Sequence, residues 1–274
     1  MERDLLTTRE VAKLLGVGTT SVKRWADSGL LRCVKTPGGH RRYPRDSIDT
    51  FLAHHQPEAD PERPSLQSHC DAWVLKLSRG MGASEIAKGL QVEHRRHGSW
   101  FAVADAMSDV LDEIGRAWAR GDITVIQEHL ISERITRAVT RLCERMPLRP
   151  GAPACLLMSA EGDDHTLGLN LVELVLREAG WRAAWTGRKT PVHFVCEYIS
   201  NNDIDMVAVS ASEYSRDAGA LADQAARLGA ACEDLDIPLL LGGKGLWPEK
   251  PAYGRRLHTF QQLREVLNEL EQVE

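Results

Sequence analysis

Residues 154–168 read ACLLMSAEGDDHTLG. The first six are largely apolar, do not alternate with polar residues, and stop at Ser159-Ala160. Such a run, followed by turn residues and then a helical pattern, marks a strand buried on both faces of a parallel sheet. The helical pattern starts near Thr166, which puts the loop E-G-D-D-H at the carboxyl end of the strand. Open parallel sheets bind their ligands at that edge. Outward from this point strand and helix patterns alternate. Strands are expected at 181–186, 204–210, 237–241 and 256–259, and helices at 166–179, 191–201, 215–234 and 260–272. The expected architecture over 148–274 is a doubly wound parallel sheet of the Rossmann-like kind.

Upstream, PLRPGAP (147–153) marks a boundary. Helical periodicity fills 71–80, 83–96, 99–118 and 124–146, with Gly82, Gly98 and Gly121 between the segments. Four helices with short connections predict a four-helix bundle over 70–147. Residues 56–66, QPEADPERPSL, hold three prolines and little apolar content, so 56–69 reads as a linker. Residues 1–55 form the head. There a short helix over 5–15, capped by Thr7 or Thr8, is followed by Gly16-Val17-Gly18 and a second helix over 21–27. That is the helix-turn-helix pattern. Strands at 31–36 and 40–43 flank the turn Pro37-Gly38-Gly39, and a third helix is expected over 44–51.

Composition narrows the function. No apolar run approaches the length of a membrane span, and the mixed-charge start Met1-Glu2-Arg3-Asp4 is unlike a secretion signal. The expectation is a cytoplasmic protein with no membrane partner. The six cysteines (33, 70, 143, 155, 196 and 232) form no C-x-x-C pair, so they read as reduced thiols. Lys and Arg outnumber Asp and Glu in residues 1–56 and are outnumbered in the rest. A basic head on an acidic body suits a protein that meets an anionic polymer only at its head.

In the head, Thr19, Thr20, Ser21, Lys23 and Arg24 lie on the outward side of the second helix, where they can reach base edges and phosphates. Lys35, His40, Arg41 and Arg42 line the hairpin and suit phosphate contacts. Trp25 and Tyr43 read as core or hinge residues rather than base-stacking ones. The segment L-T-T-R-E-V-A-K-L-L-G-V…V-K-R-W…G-L-L…T-P-G-G-H-R-R-Y over about 5–53 resembles the winged helix-turn-helix of the MerR superfamily. That resemblance implies binding to a double-stranded DNA operator.

His165 at the sheet edge can bind a metal through one ring nitrogen while Asp163 accepts from the other. The spacing Asp163-x-His165-x-x-Gly168 resembles the D-x-H-x-x-G motif of cobalamin-binding domains, which implies His165 as lower axial ligand of cobalt. Gly168 leaves room for a bulky group. Ser210-Ala211-Ser212 resembles that family's S-x-L or S-x-T, with a departure at Ser212 that leaves open which serine meets the nucleotide tail. Gly242-Gly243 resembles its glycine pair, which allows close approach of the tail.

In the bundle, Trp118 followed by Glu128-His129 resembles the W-x9-E-H pattern of light-sensing MerR regulators with a cobalamin domain, the CarH type. The resemblance implies that Trp118 and Glu128 cover the upper face of the corrin. Ala119 stands where light-sensing members often carry a cobalt-capturing His, so either His129 or another group takes that role, or the photocycle differs. His94, His97 and Glu93 read as a solvated face. The implied function is a regulator, a repressor by the expectation of this family, without enzymatic activity. It is switched by cobalamin (adenosylcobalamin or a related form) and by light through a dimer or tetramer. A haem- or bilin-binding regulator and a corrinoid-carrying enzyme module are the alternatives.

Overall fold

The computed structural model describes residues 5–15, 19, 22–23, 26, 31–36, 38–48 and 66–272. By its internal contacts the chain divides into two units, 1–82 with 109–133 and 83–108 with 134–274.

The first unit opens with strand β1 (Leu5–Thr7) and helix α1 (Thr8–Leu15). Leu5–Thr7 therefore do not start the first helix, as the periodicity suggested. They pair antiparallel with β3 (Arg41–Pro44), which also takes β2 (Val34–Lys35), in the order β1-β3-β2. Thr7 caps α1 in a reciprocal box: its hydroxyl accepts from the Glu10 amide, and the Glu10 carboxylate accepts from the Thr7 amide. The wing turn closes with Thr36 and His40 bonded to each other and Gly39 at φ +77°, a backbone state that favours glycine. Val11, Val22, Leu31, Tyr43 and Ile48 are buried together, so Tyr43 is a core residue. Residues 45–48 are helical, the described start of the third helix. Trp25 lies outside the described residues.

The same unit holds helix α2 (Leu66–Ser78) and parts of two longer helices. α2 starts inside the stretch expected as linker. The long helices are α4 (Trp100–Arg120) and α5 (Val125–Cys143). Trp73, Leu77, Val110, Ile114 and Ile131 are buried here.

The second unit takes helix α3 (Ala83–His97), the remaining parts of α4 and α5, and the sheet half. Strands β4 (Ala154–Ser159), β5 (Arg182–Trp185), β6 (Met206–Ala211), β7 (Leu239–Gly243) and β8 (Arg255–Arg256) are parallel, in the order β5-β4-β6-β7-β8. All six residues of β4 are buried, as expected for an inner strand. β8 is shorter and earlier than the expected 256–259, because only Arg255 and Arg256 pair with β7. Helices α6 (Leu167–Glu178), α7 (Val192–Ser200), α8 (Ala218–Asp234) and α9 (Phe260–Glu271) follow β4, β5, β6 and β8. The strand order reverses between β4 and β6, so their carboxyl ends flank the crevice of a doubly wound sheet.

Of the three residues read as a solvated face, His97 is exposed, His94 is half-buried and Glu93 is not solvated. Glu93 is buried with Arg96 and His97 on its carboxylate. His94 Nε2 lies 3.0 Å from Glu178 Oε1, and its ring stacks on Trp100. Glu178 also accepts from the Trp100 amide at 2.8 Å, capping the first turn of α4 with a carboxylate.

Candidate corrinoid site and nucleic-acid interface

The loop from β4 to α6 turns tightly at Gly162, at φ +88°. The Ser159 hydroxyl bonds the Asp163 carbonyl at 2.8 Å, and the Asp163 amide bonds the Ala160 carbonyl. This places the Asp163 carboxylate inside the crevice, with its side chain 1% exposed, and leaves the His165 side chain 56% exposed. His165 Nδ1 lies 2.9 Å from Asp163 Oδ1.

Burial alone would raise the Asp163 carboxyl. The Ser215 hydroxyl and the His165 and Ser212 amides donate to it and outweigh burial, holding it down to about 2. An ionised carboxylate only accepts, so Nδ1 carries the hydrogen, and the neutral form of the ring then presents its lone pair at Nε2. A fixed tautomer with a carboxylate behind it is what a histidine needs to bind a metal ion through Nε2.

Beside this pair lies a cleft of about 410 Å3 in which Gly168, Ser210, Gly242, Gly243, Leu169 and Phe260 take part. Ser210, not Ser212, faces it. The Ser210 hydroxyl is 3.6 Å from where a Cβ on Gly168 would sit. Ser212 instead turns its hydroxyl to His165 Nδ1 at 3.2 Å. Gly243 has φ +79°, and a Cβ there would lie 2.2 Å from the Ala211 carbonyl. The glycine is therefore needed by the fold itself at the mouth of the cleft. On the far wall, Asp105 of α4 accepts from the Phe260 and Gln261 amides at 2.7 and 3.2 Å, fixing the start of α9.

The structure thus brings Asp163, His165, Gly168, Ser210, Ser212, Gly242 and Gly243 to one sheet edge. Trp118, Glu128 and His129 belong to the other unit. There Glu128 accepts from the Ser132 hydroxyl at 2.7 Å and lies 3.5 Å from His129, which is exposed. Reading along the sequence missed Tyr214 and Ser215. Ser215 holds Asp163, and Tyr214 stacks on His165. Both come from the loop after β6, some fifty residues away, with no local pattern to mark them. Among the described residues, no three potential metal ligands gather in one place.

In the head, a cavity of about 330 Å3 brings Lys23 together with His40, Arg41 and Arg42. Arg9, on the first turn of α1, lines it too and was not singled out from the sequence. Thr19 is exposed on a helical residue, and Lys35 is exposed on β2. Thr20, Ser21 and Arg24 lie outside the described residues. A cavity ringed by cations, between a helix start and a hairpin, can hold a backbone phosphate.

A family described as a helix-turn-helix domain matches residues 5–56. Two families described as B12 binding domains match residues 153–251 and 101–142. The matches thus fall on separate stretches, a helix-turn-helix domain at the head and B12 binding domains further along the chain. It is similar to the HTH-type transcriptional repressor CarH of Myxococcus xanthus, 26% identical over 286 residues, covering 91% of this chain and 93% of that protein. It is also 23% identical over 111 residues to a dimethylamine corrinoid protein of Methanosarcina acetivorans, over 40% of this chain and 52% of that one. The solved monomethylamine corrinoid protein of Methanosarcina barkeri shares the fold, with a TM-score of 0.55 and 16% identity, over 74% of this chain and 96% of that chain. Among the described residues, no helix is long and apolar enough to cross a membrane.

Proposed function

We propose that this protein is a transcriptional repressor that binds operator DNA through its head and is controlled by cobalamin held at the sheet edge. The observation that carries the reading is His165. Its Nδ1 is bound to a buried, ionised Asp163 at the carboxyl end of β4, in a chain that also bears a cationic wing. The residues suit a corrinoid. His165 Nε2 would be the cobalt ligand, Ser210 and the Gly168, Gly242 and Gly243 surfaces would take the nucleotide tail, and the cleft is mostly apolar around them. The B12-binding matches favour this over a haem or a bilin.

On this reading the chain comprises a head at 1–55, a linker from 56 to the start of α2 at Leu66, a helical cap from α2 to 147 and the sheet domain at 148–274. Trp118, Glu128 and His129 would shield a bound cobalamin, a role that rests on their sequence pattern alone. When bound, an alkylcobalamin supplies a light-labile cobalt–carbon bond. The protein's part would be to hold the cobalamin through His165 and to change its assembly when that bond is broken. Dimer or tetramer formation then sets how many heads an operator meets, and effective concentration multiplies their affinity. Such a regulator works in the cytoplasm with its DNA and needs no catalysis. The likeness to corrinoid proteins favours a corrinoid carrier as the second reading, but a carrier has no use for the DNA-binding head.

The test is a visible spectrum of the full chain purified in the dark with adenosylcobalamin, before and after green light, alongside operator binding. A retained corrin spectrum with cobalamin-dependent DNA affinity supports the reading, and His165→Ala should weaken or alter that spectrum. A light response in both supports the photoreceptor form. DNA affinity indifferent to cobalamin and light sinks it.

For the head, Arg9→Ala and Arg42→Ala should each weaken binding to operator and random DNA alike. Each should reduce the slope of log affinity against log salt by about 0.9 for every phosphate the variant no longer neutralises. Unchanged slopes in a salt titration would remove the cavity from the interface.

A further inference from the structure

The turn after β6 wraps the Asp163–His165 pair on several sides. The Ser212 amide and the Ser215 hydroxyl donate to Asp163 Oδ2 at 2.6 and 2.7 Å. Ser212 Oγ lies 3.2 Å from His165 Nδ1 and accepts from the Tyr214 amide at 3.3 Å. The Tyr214 ring then lies on the imidazole, with centroids 4.9 Å apart and planes 17° apart. The hydrogen bonds secure the imidazole only at Nδ1. The outer torsion of a histidine is broad, so a half-exposed ring held at one edge still has freedom to rock. A flat neighbour lying parallel to it removes that freedom.

We infer that Tyr214 is a positioning residue for His165, holding the ring plane so that Nε2 points one way before any ligand arrives. This rests on the reading of His165 as axial cobalt ligand. The departure at Ser212 belongs to the same device. Its hydroxyl receives the Tyr214 amide and so sets where the aromatic ring falls. The stack uses the face of the ring and not the phenol oxygen, so phenylalanine should serve as well.

The test uses the full chain, labelled with 15N-histidine and loaded with cobalamin reduced to the cobalt(II) state. Electron paramagnetic resonance reads coupling of cobalt to the axial nitrogen, and titration with cobalamin reads affinity. The wild type should show a single 15N-histidine coupling. Tyr214→Phe should keep both the coupling and the affinity. Tyr214→Ala should bind about three- to tenfold more weakly and add a second cobalt signal lacking the histidine coupling. Its urea midpoint should stay near the wild type, since the side chain is half exposed.

An alanine variant equal to wild type in spectrum and affinity overturns the proposal. So does a phenylalanine variant that behaves like alanine, or weaker binding that follows a lowered midpoint with no second signal. A wild type that binds cobalamin without histidine coupling overturns the axial reading and this proposal together. Coupling that is present but indifferent to Tyr214 overturns the proposal alone.

Discussion

Gly243→Ala should destabilise the sheet half by roughly 3 kcal/mol, while Gly242→Ala, one residue away, should cost about 1 kcal/mol or less. Gly243 sits at φ +79°, where a side chain is strained by about 1–2 kcal/mol before any contact is counted. Its Cβ would also lie 2.2 Å from the Ala211 carbonyl and 2.8 Å from the Ser210 hydroxyl. The first of these is backbone, and Ala211 is paired to Gly243 in the β6–β7 ladder, so relief requires parting the strands. At Gly242 the nearest atom would be 3.7 Å away, an ordinary contact. Urea unfolding of the two variants should separate their midpoints clearly. Coincident midpoints would show that the turn relaxes freely. Because Ser210 and Gly243 both line the cleft, Gly243→Ala should also lower cobalamin affinity, measured by titration on the folded variant.

Asp163→Asn should reduce cobalamin affinity about 10- to 100-fold and stability by roughly 2 kcal/mol at neutral pH. The carboxylate accepts from the Ser212 amide, the Ser215 hydroxyl, the His165 amide and His165 Nδ1. An asparagine offers one accepting oxygen, and its amide nitrogen would face donors. At least one buried donor is then left without an acceptor, and His165 loses the partner that fixes its tautomer.

Acid should do the same to the wild type. The carboxyl is held at about 2 in the folded chain against 3.8 without its partners. Its contribution, about 2 kcal/mol, is therefore present in full above about pH 4 and lost as pH falls toward 2. Urea midpoints of wild type and Asp163→Asn should differ at pH 6 and converge in acid. A gap that stays constant down to the acid limit would mean that Asp163 is not the group being titrated.

The parts of the site that could be read from the chain were those with short-range causes. The unbroken apolar run of β4 ends where the strand ends, so the loop holding Asp163 and His165 had to fall at a sheet edge. Asp163 and His165 are two residues apart, close enough for their bond to be inferred from spacing. The wing was legible because its turn, Gly39 included, closes on itself. Leu5–Thr7 went wrong for the opposite reason. A threonine cap and helical spacing from Val11 onward favour a helix, but three residues of strand are stabilised by β3, nearly forty residues later.

By itself, then, the sequence determined the periodicities, the turns and the two short motifs, all set by neighbours within a few residues. Only the tertiary structure decided which serine meets the cleft, which meets the histidine, and that Tyr214 and Ser215 belong to the site at all. Those contacts depend on β6 lying beside β4. Strand order in a parallel sheet is settled by how the intervening helices pack, a balance of burial over the whole domain that no local stretch encodes. The same holds for Arg9, which meets the wing only because β1 pairs with β3 and brings the first turn of α1 against the hairpin.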